Sequence, residues 1–117
     1  MDNRDFAQKL EQRTRKFAVS IIRLSSHLPK TPEGQVIRNQ ITKAGTSIGA
    51  NYREANRARS KADFRNKIKI SESEASETQY WLELIVDMDW LPQEDIESVF
   101  KECCELLALF TSIGKKS

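Results

Sequence analysis

The chain has 117 residues, close to the commonest size of a single domain, with 38% hydrophobic and 31% charged positions. Its 19 Lys and Arg against 17 Asp and Glu leave a net charge of +2, too even overall to argue for a nucleic-acid or acidic-substrate partner. No apolar run is long enough to span a membrane, and a single histidine makes a histidine-based catalytic or metal centre improbable. The adjacent Cys103 and Cys104 exclude a disulfide scaffold and point to a reducing cytoplasm. The charged start Met1-Asp2-Asn3-Arg4-Asp5 is not expected to act as a secretory leader.

The first apolar stripe, Phe6, Leu10, Phe17, Ile21, Leu24 and Leu28, has helical spacing and predicts a helix over about 4–27. Leu28-Pro29 ends it, because proline disfavours helical geometry in the residue before it. Thr31-Pro32-Glu33 then reads as an N-cap, a first-turn proline and an early acid. The second helix, about 32–56, carries Ile37, Ile41, Ala44, Ile48, Tyr52 and Ala55. Ser60-Lys61-Ala62-Asp63 resembles a capping box with Asp in place of Glu, so a third helix starts there and runs over about 61–89. Its stripe is Phe64, Ile68, Ser71, Ala75, Thr78, Leu82 and Ile85, and the small residues in it suit close packing against a bulky neighbour. Trp90-Leu91-Pro92 interrupts the pattern. A fourth helix, about 93–113, follows on Ile96, Val99, Phe100, Cys103, Leu106, Leu107, Phe110 and Ile113, with Glu94, Asp95 and Glu97 where negative charge favours a helix start. No segment alternates with the period of a strand. Four stripes joined by short breaks predict an all-α fold, one antiparallel up-down-up-down four-helix bundle over 1–117.

The near-neutral total hides a partition. Residues 35–69 carry nine bases and two acids, whereas residues 70–113 carry Lys101 alone against eleven acids. The bases Arg53, Arg57, Arg59, Lys61, Arg65 and Lys69 gather around the second turn and would form a basic end. Such an end suits phosphate contacts that release counterions and are therefore salt-sensitive. Basic and acidic surfaces also suit contacts between subunits, and a head-to-tail contact closes into a ring when its rotation allows. The plain alternative is a solvated pair of helices with i,i+4 partners.

Gly45 and Gly49, four apart inside the second helix, each cost about 1 kcal/mol relative to Ala. They admit close approach of a second subunit or of a large side chain from the same bundle. The run Tyr80-Trp81-Leu82-Glu83-Leu84-Ile85-Val86 is apolar on more than one helical face, which makes Tyr80 and Trp81 candidates for an oligomer interface. Glu72, Glu74 and Glu77 lack the Glu-x-x-His partner that carboxylate bundle sites use, so no metal or other cofactor is expected. Cys103 falls on the core stripe with Cys104 beside it, which reads as packed thiols. No phosphate loop, nucleophile elbow or dinucleotide fingerprint occurs, and no enzyme activity is expected.

Ala44-Gly45-Thr46-Ser47-Ile48-Gly49-Ala50-Asn51-Tyr52-Arg53-Glu54-Ala55, followed by Arg57-Ala58-Arg59-Ser60-Lys61-Ala62-Asp63-Phe64, resembles the four-helix-bundle family of 23S rRNA-intervening-sequence proteins. The likeness continues through Lys67, Ile68, Ile70, Glu74, Ala75, Glu77-Thr78 and Tyr80-Trp81-Leu82-Glu83-Leu84. It implies a bundle that assembles into a homopentameric ring in a bacterial cytoplasm. A related branch serves as the accessory protein of diversity-generating retroelements, which implies RNA or DNA and a reverse transcriptase as further partners. The chain reads Asn-Tyr-Arg-Glu-Ala where other members read Asn-Ile-Ala-Glu-Gly, a departure that adds Arg53 to the basic end. Asn51, Glu54, Glu74 and Glu77 then form a candidate polar network, which either fixes helix register or receives a ligand; hydrogen bonding of Asn51 to the third helix is the structural alternative. Two functions follow as expectations: a non-enzymatic, self-assembling bundle that binds nucleic acid through its basic end, or an oligomeric protein–protein adaptor.

Overall fold

The computed structural model describes residues 3–117, which form four helices and, among those residues, no strand. They are α1 (Asn3–Ser25), α2 (Pro32–Ala55), α3 (Lys61–Asp87) and α4 (Gln93–Lys116). Each helix packs on its neighbours in the chain and α4 closes back on α1, whereas α1 and α3, and α2 and α4, stand diagonally across the core with no close backbone approach. The cross-section is therefore a square of antiparallel helices in a body 44 × 25 × 20 Å. The α1–α4 side is the loosest of the four.

Local chemistry sets the turns. The Thr31 hydroxyl accepts from the Gly34 N–H at 3.1 Å, with Pro32 in the first turn where its missing N–H costs nothing. The Ser60 hydroxyl accepts from the Asp63 N–H at 3.0 Å, the cap anticipated from Ser60-Lys61-Ala62-Asp63. The α3–α4 turn closes with the Trp90 N–H on the Ile85 carbonyl and the Asp89 N–H on the Val86 carbonyl, the paired bonds of a Schellman motif. That motif needs a left-handed residue, and Asp89 supplies it at φ 55°.

The stripes meet in one core. Ile21, Ile41, Ile48, Ile68, Leu82, Ile85, Leu106 and Phe110 are fully buried, and the Tyr52 ring stands edge-on to Phe110 with centroids 5.4 Å apart. Phe6 departs from its stripe and is 39% exposed on the first turns of α1. Thr14, omitted from the stripe because it is polar, is fully buried; its hydroxyl donates to the Glu11 carbonyl at 2.9 Å, which removes the cost of burying it. Across the α2–α3 seam the Ser71 hydroxyl donates to the Ile48 carbonyl at 2.9 Å, so small residues at that seam serve both contact and hydrogen bonding.

Gly45 and Gly49 of α2 face α1 of the same chain. A Cβ on Gly45 would lie 2.8 Å from Ile21 Cγ2, and one on Gly49 would lie 2.8 Å from Thr14 Oγ1. The close approach these residues permit is thus to a large side chain within the bundle. Gly45 is buried there, which leaves it no surface to offer a second subunit.

Candidate nucleic-acid interface

The α2–α3 turn brings the basic residues to one end of the bundle because it is short and joins two antiparallel helices. Arg57 and Arg59 lie in the turn itself, and Lys61, Arg65 and Lys69 repeat at i,i+4 along the exposed edge of α3. All five are exposed, and among the described residues none makes an ion pair. Asp63 is the acid inside this group, placed in the first turn of α3.

Antiparallel topology adds two cations from the end of α4. The end of α4 lies beside the start of α3, with the Gly114 position 3.7 Å from Ile68 Cγ2. Lys115 and Lys116 therefore join the same end. Arg53 does not stand free. Its Nε lies 3.5 Å from Glu11 Oε1, while Glu11 Oε2 accepts from the Asn56 amide at 2.9 Å, so its charge is spent within the chain. Phe64 is half-buried against the core, and the partly exposed Phe6 is the aromatic nearest this end, since Glu11, one turn further along α1, already meets Asn56 and Arg53.

Asn51, Glu54, Glu74 and Glu77 do not form one buried network. Asn51 Nδ2 donates to the Ser47 carbonyl of its own helix at 2.9 Å rather than to α3. Glu54 is exposed, and its carboxylate lies 3.4 Å from Lys67 Nζ. Glu77 is exposed as well, about one-third of a turn off the buried stripe of α3. Glu74 alone is half-buried and electrostatically perturbed: desolvation and the nearby Glu77 raise its pKa, against a smaller opposing pull from Ser47 and Lys43. The buried hydrogen bond across the α2–α3 seam is made by Ser71.

At the far end of α3, about 40 Å away at 1.5 Å per residue, the sign reverses. Glu83, Asp87, Asp89, Glu94, Asp95 and Glu97 are exposed around the α3–α4 turn. Glu102 and Glu105, midway along α4, are instead held by Arg13 of α1. That side-chain hydrogen bonding to Glu102 raises the arginine pKa further above its usual value. Glu72 accepts from the Thr111 hydroxyl at 2.6 Å, and among the described residues no group of three His, Cys, Asp or Glu is placed to hold a metal ion.

Tyr80 and Trp81 part company. Tyr80 is 53% exposed and edge-on to the Trp81 ring, with centroids 5.1 Å apart. Trp81 is packed against the core and its buried indole N–H has no acceptor within the chain, so Tyr80 is the residue that faces outward. The Cys103 thiol is buried and donates to the Ala75 carbonyl at 3.3 Å; burial pushes its pKa up to about 12. Cys104 Sγ accepts from Gln79 Nε2 at 3.1 Å. Both cysteines are free.

A bundle with this helix order and these matching seams has known relatives. The 23S rRNA-intervening sequence protein family matches residues 7–112. The chain belongs to this family. A crystal structure of a protein of unknown function from the S23 ribosomal protein family of Bacteroides thetaiotaomicron superposes with a TM-score of 0.83 at 42% identity, covering 90% of this chain and 97% of that one. No functionally curated protein matches. Neither the family description nor the Bacteroides relative names an enzymatic activity. Among the described residues no helix of this 23S rRNA-intervening sequence protein is long and apolar enough to cross a membrane.

Proposed function

We propose that the chain is a non-enzymatic, cytoplasmic, self-assembling bundle, a homopentamer by its family resemblance, that binds RNA electrostatically through its basic end. The carrying observation is the set of uncompensated cations Arg57, Arg59, Lys61, Arg65 and Lys69, joined at one end by Lys115 and Lys116. Exposed cations without carboxylate partners gain most from displacing condensed counterions, and a cluster made of Lys and Arg favours backbone contact over base reading. Assembly would multiply the effect by bringing several basic ends onto one rim.

Gel shift of a labelled RNA at about 50 and about 200 mM salt tests this reading. The oligomer is expected to retard RNA at the lower concentration and lose affinity steeply at the higher. Arg59→Glu and Arg65→Glu should each weaken binding across sequences, and Arg53→Ala should do so less because Glu11 already occupies that guanidinium. No retardation at low salt would remove the nucleic-acid role. A partner that survives nuclease treatment would then favour the adaptor alternative.

A further inference from the structure

A groove of about 760 Å³ runs between α3 and α4, floored by Leu84, Ile96 and Phe100 and overhung by the exposed ring of Tyr80. Its rim is acidic: Glu83, Asp87 and Glu97 line it against the single base Lys101. Among the described residues none covers it. On α1 the opposite chemistry is exposed. Val19 and Ile22 are 43% and 49% exposed on a helix whose core stripe lies elsewhere, and Arg15, Lys16 and Arg23 flank them. The acid nearest this stripe, Glu11, is held by Arg53.

The two surfaces do not share a helix. Val19 and Ile22 point outward from α1, with Arg15 on the flank towards α2, beside Thr46, Gly49 and Ala50, and Lys16 and Arg23 on the flank towards α4, beside Val99. The groove belongs to the α3–α4 side. An amphipathic helix face with β-branched anchors at i and i+3 matches the helix-in-groove mode of recognition, and basic flanks meeting an acidic rim fix its sign.

From this complementarity we propose that the outer face of α1 in one copy, anchored by Val19 and Ile22, seats in the α3–α4 groove of a second copy of the chain. Because the donor and acceptor faces do not overlap, each copy engages two neighbours at once, a heterologous contact that repeats around a ring. This inference rests on the self-assembly reading above and specifies which surfaces carry it. It accounts for two exposed β-branched residues on α1 and for an apolar groove under an acidic rim by one contact.

Light scattering on the full chain tests the pairing. The wild type is expected above its monomer mass, and Ile22→Asp should bring it down to 13.5 kDa with its helical circular dichroism unchanged, since Ile22 lies outside the core. Val36→Asp, at an equally exposed apolar residue of α2 outside both faces, should leave assembly intact. Two charge-reversed chains give an orientation-independent check. One carries Arg15→Glu with Arg23→Glu, the other Glu83→Lys with Glu97→Lys. Each alone should be monomeric, and mixing should restore association, because the acidic α1 face of the first then fits the basic groove of the second; the chains must alternate, so the mixture should form heterodimers and larger even-numbered assemblies rather than a ring of five. An oligomer that survives Ile22→Asp, or charge-reversed chains that stay monomeric when mixed, overturns this pairing while leaving self-assembly standing. A wild type monomeric at every concentration and salt removes self-assembly itself.

Discussion

Arg13 on α1 grips Glu102 on α4 with two parallel bonds, Nε to Oε2 at 2.6 Å and Nη2 to Oε1 at 2.7 Å, and extends Nη2 to Glu105 Oε1 at 2.7 Å. The pair lies on the side of the bundle where helices touch least, so this bidentate clasp carries a larger share of the α1–α4 contact than an ion pair would elsewhere. Both side chains are about one-third exposed, and solvent screening limits the gain. Arg13→Ala should cost about 1 kcal/mol in urea unfolding, with the loss shrinking in high salt. Hydrogen exchange should locate the loosening in α1.

Gly45 and Gly114 should respond oppositely to alanine. At Gly45 the new methyl would meet Ile21 Cγ2 at 2.8 Å and Cγ1 at 2.9 Å, branch atoms of a fully buried side chain that has nowhere to move. Overpacking of this kind costs about 1–3 kcal/mol and outweighs the gain of about 1 kcal/mol in helix propensity. Gly114→Ala meets only Ile68 Cγ2 at 3.7 Å, an ordinary contact, and should stabilise by up to about 1 kcal/mol. Paired thermal melts measure the contrast.

Asp89 holds a left-handed backbone at φ 55° that glycine adopts without strain. Asp89→Gly should therefore raise the midpoint of thermal unfolding, by about 0.5–1 kcal/mol of stability, while keeping the Trp90-to-Ile85 closure of the turn. A fall in stability would mean that the aspartate carboxylate supplies more than the backbone relief returns.

The two cysteines should separate under a thiol reagent. Cys104 is half-buried, whereas Cys103 is fully enclosed with its thiol pKa pushed up to about 12. A thiol–disulfide indicator at neutral pH should titrate Cys104 alone in the native protein and both thiols after denaturation. Rapid labelling of Cys103 in the native state would show that α3 and α4 separate far more readily than their packing implies.

The four helices were legible because their apolar spacing is a local, periodic signal: every residue of the α3 stripe from Ile68 to Ile85 is buried. Thr14 escaped because polarity was taken as exposure, although its place between Leu10 and Phe17 is a core position. Gly45 and Gly49 announced a close approach without saying to what, since a missing Cβ carries no information about the neighbour. Glu54 and Glu77 were misplaced for the converse reason: nearness to the stripe in sequence is not nearness in angle. The Arg13–Glu102 clasp joins residues 89 apart and leaves no periodic trace at all. The basic cluster was visible as a run, but its enlargement by Lys115 and Lys116, and the withdrawal of Arg53 into a pair with Glu11, required the fold.

The reversal of sign along α3 gives the subunit an orientation in any external field. Its 44 Å long axis greatly exceeds the Debye length of about 8 Å at physiological ionic strength, so a polyanion approaching the α2–α3 turn is screened from the carboxylates at the other pole. Approach from that pole is repelled. Diffusional encounters are thereby sorted by which end arrives first, and the fraction that is productive should climb as salt is diluted.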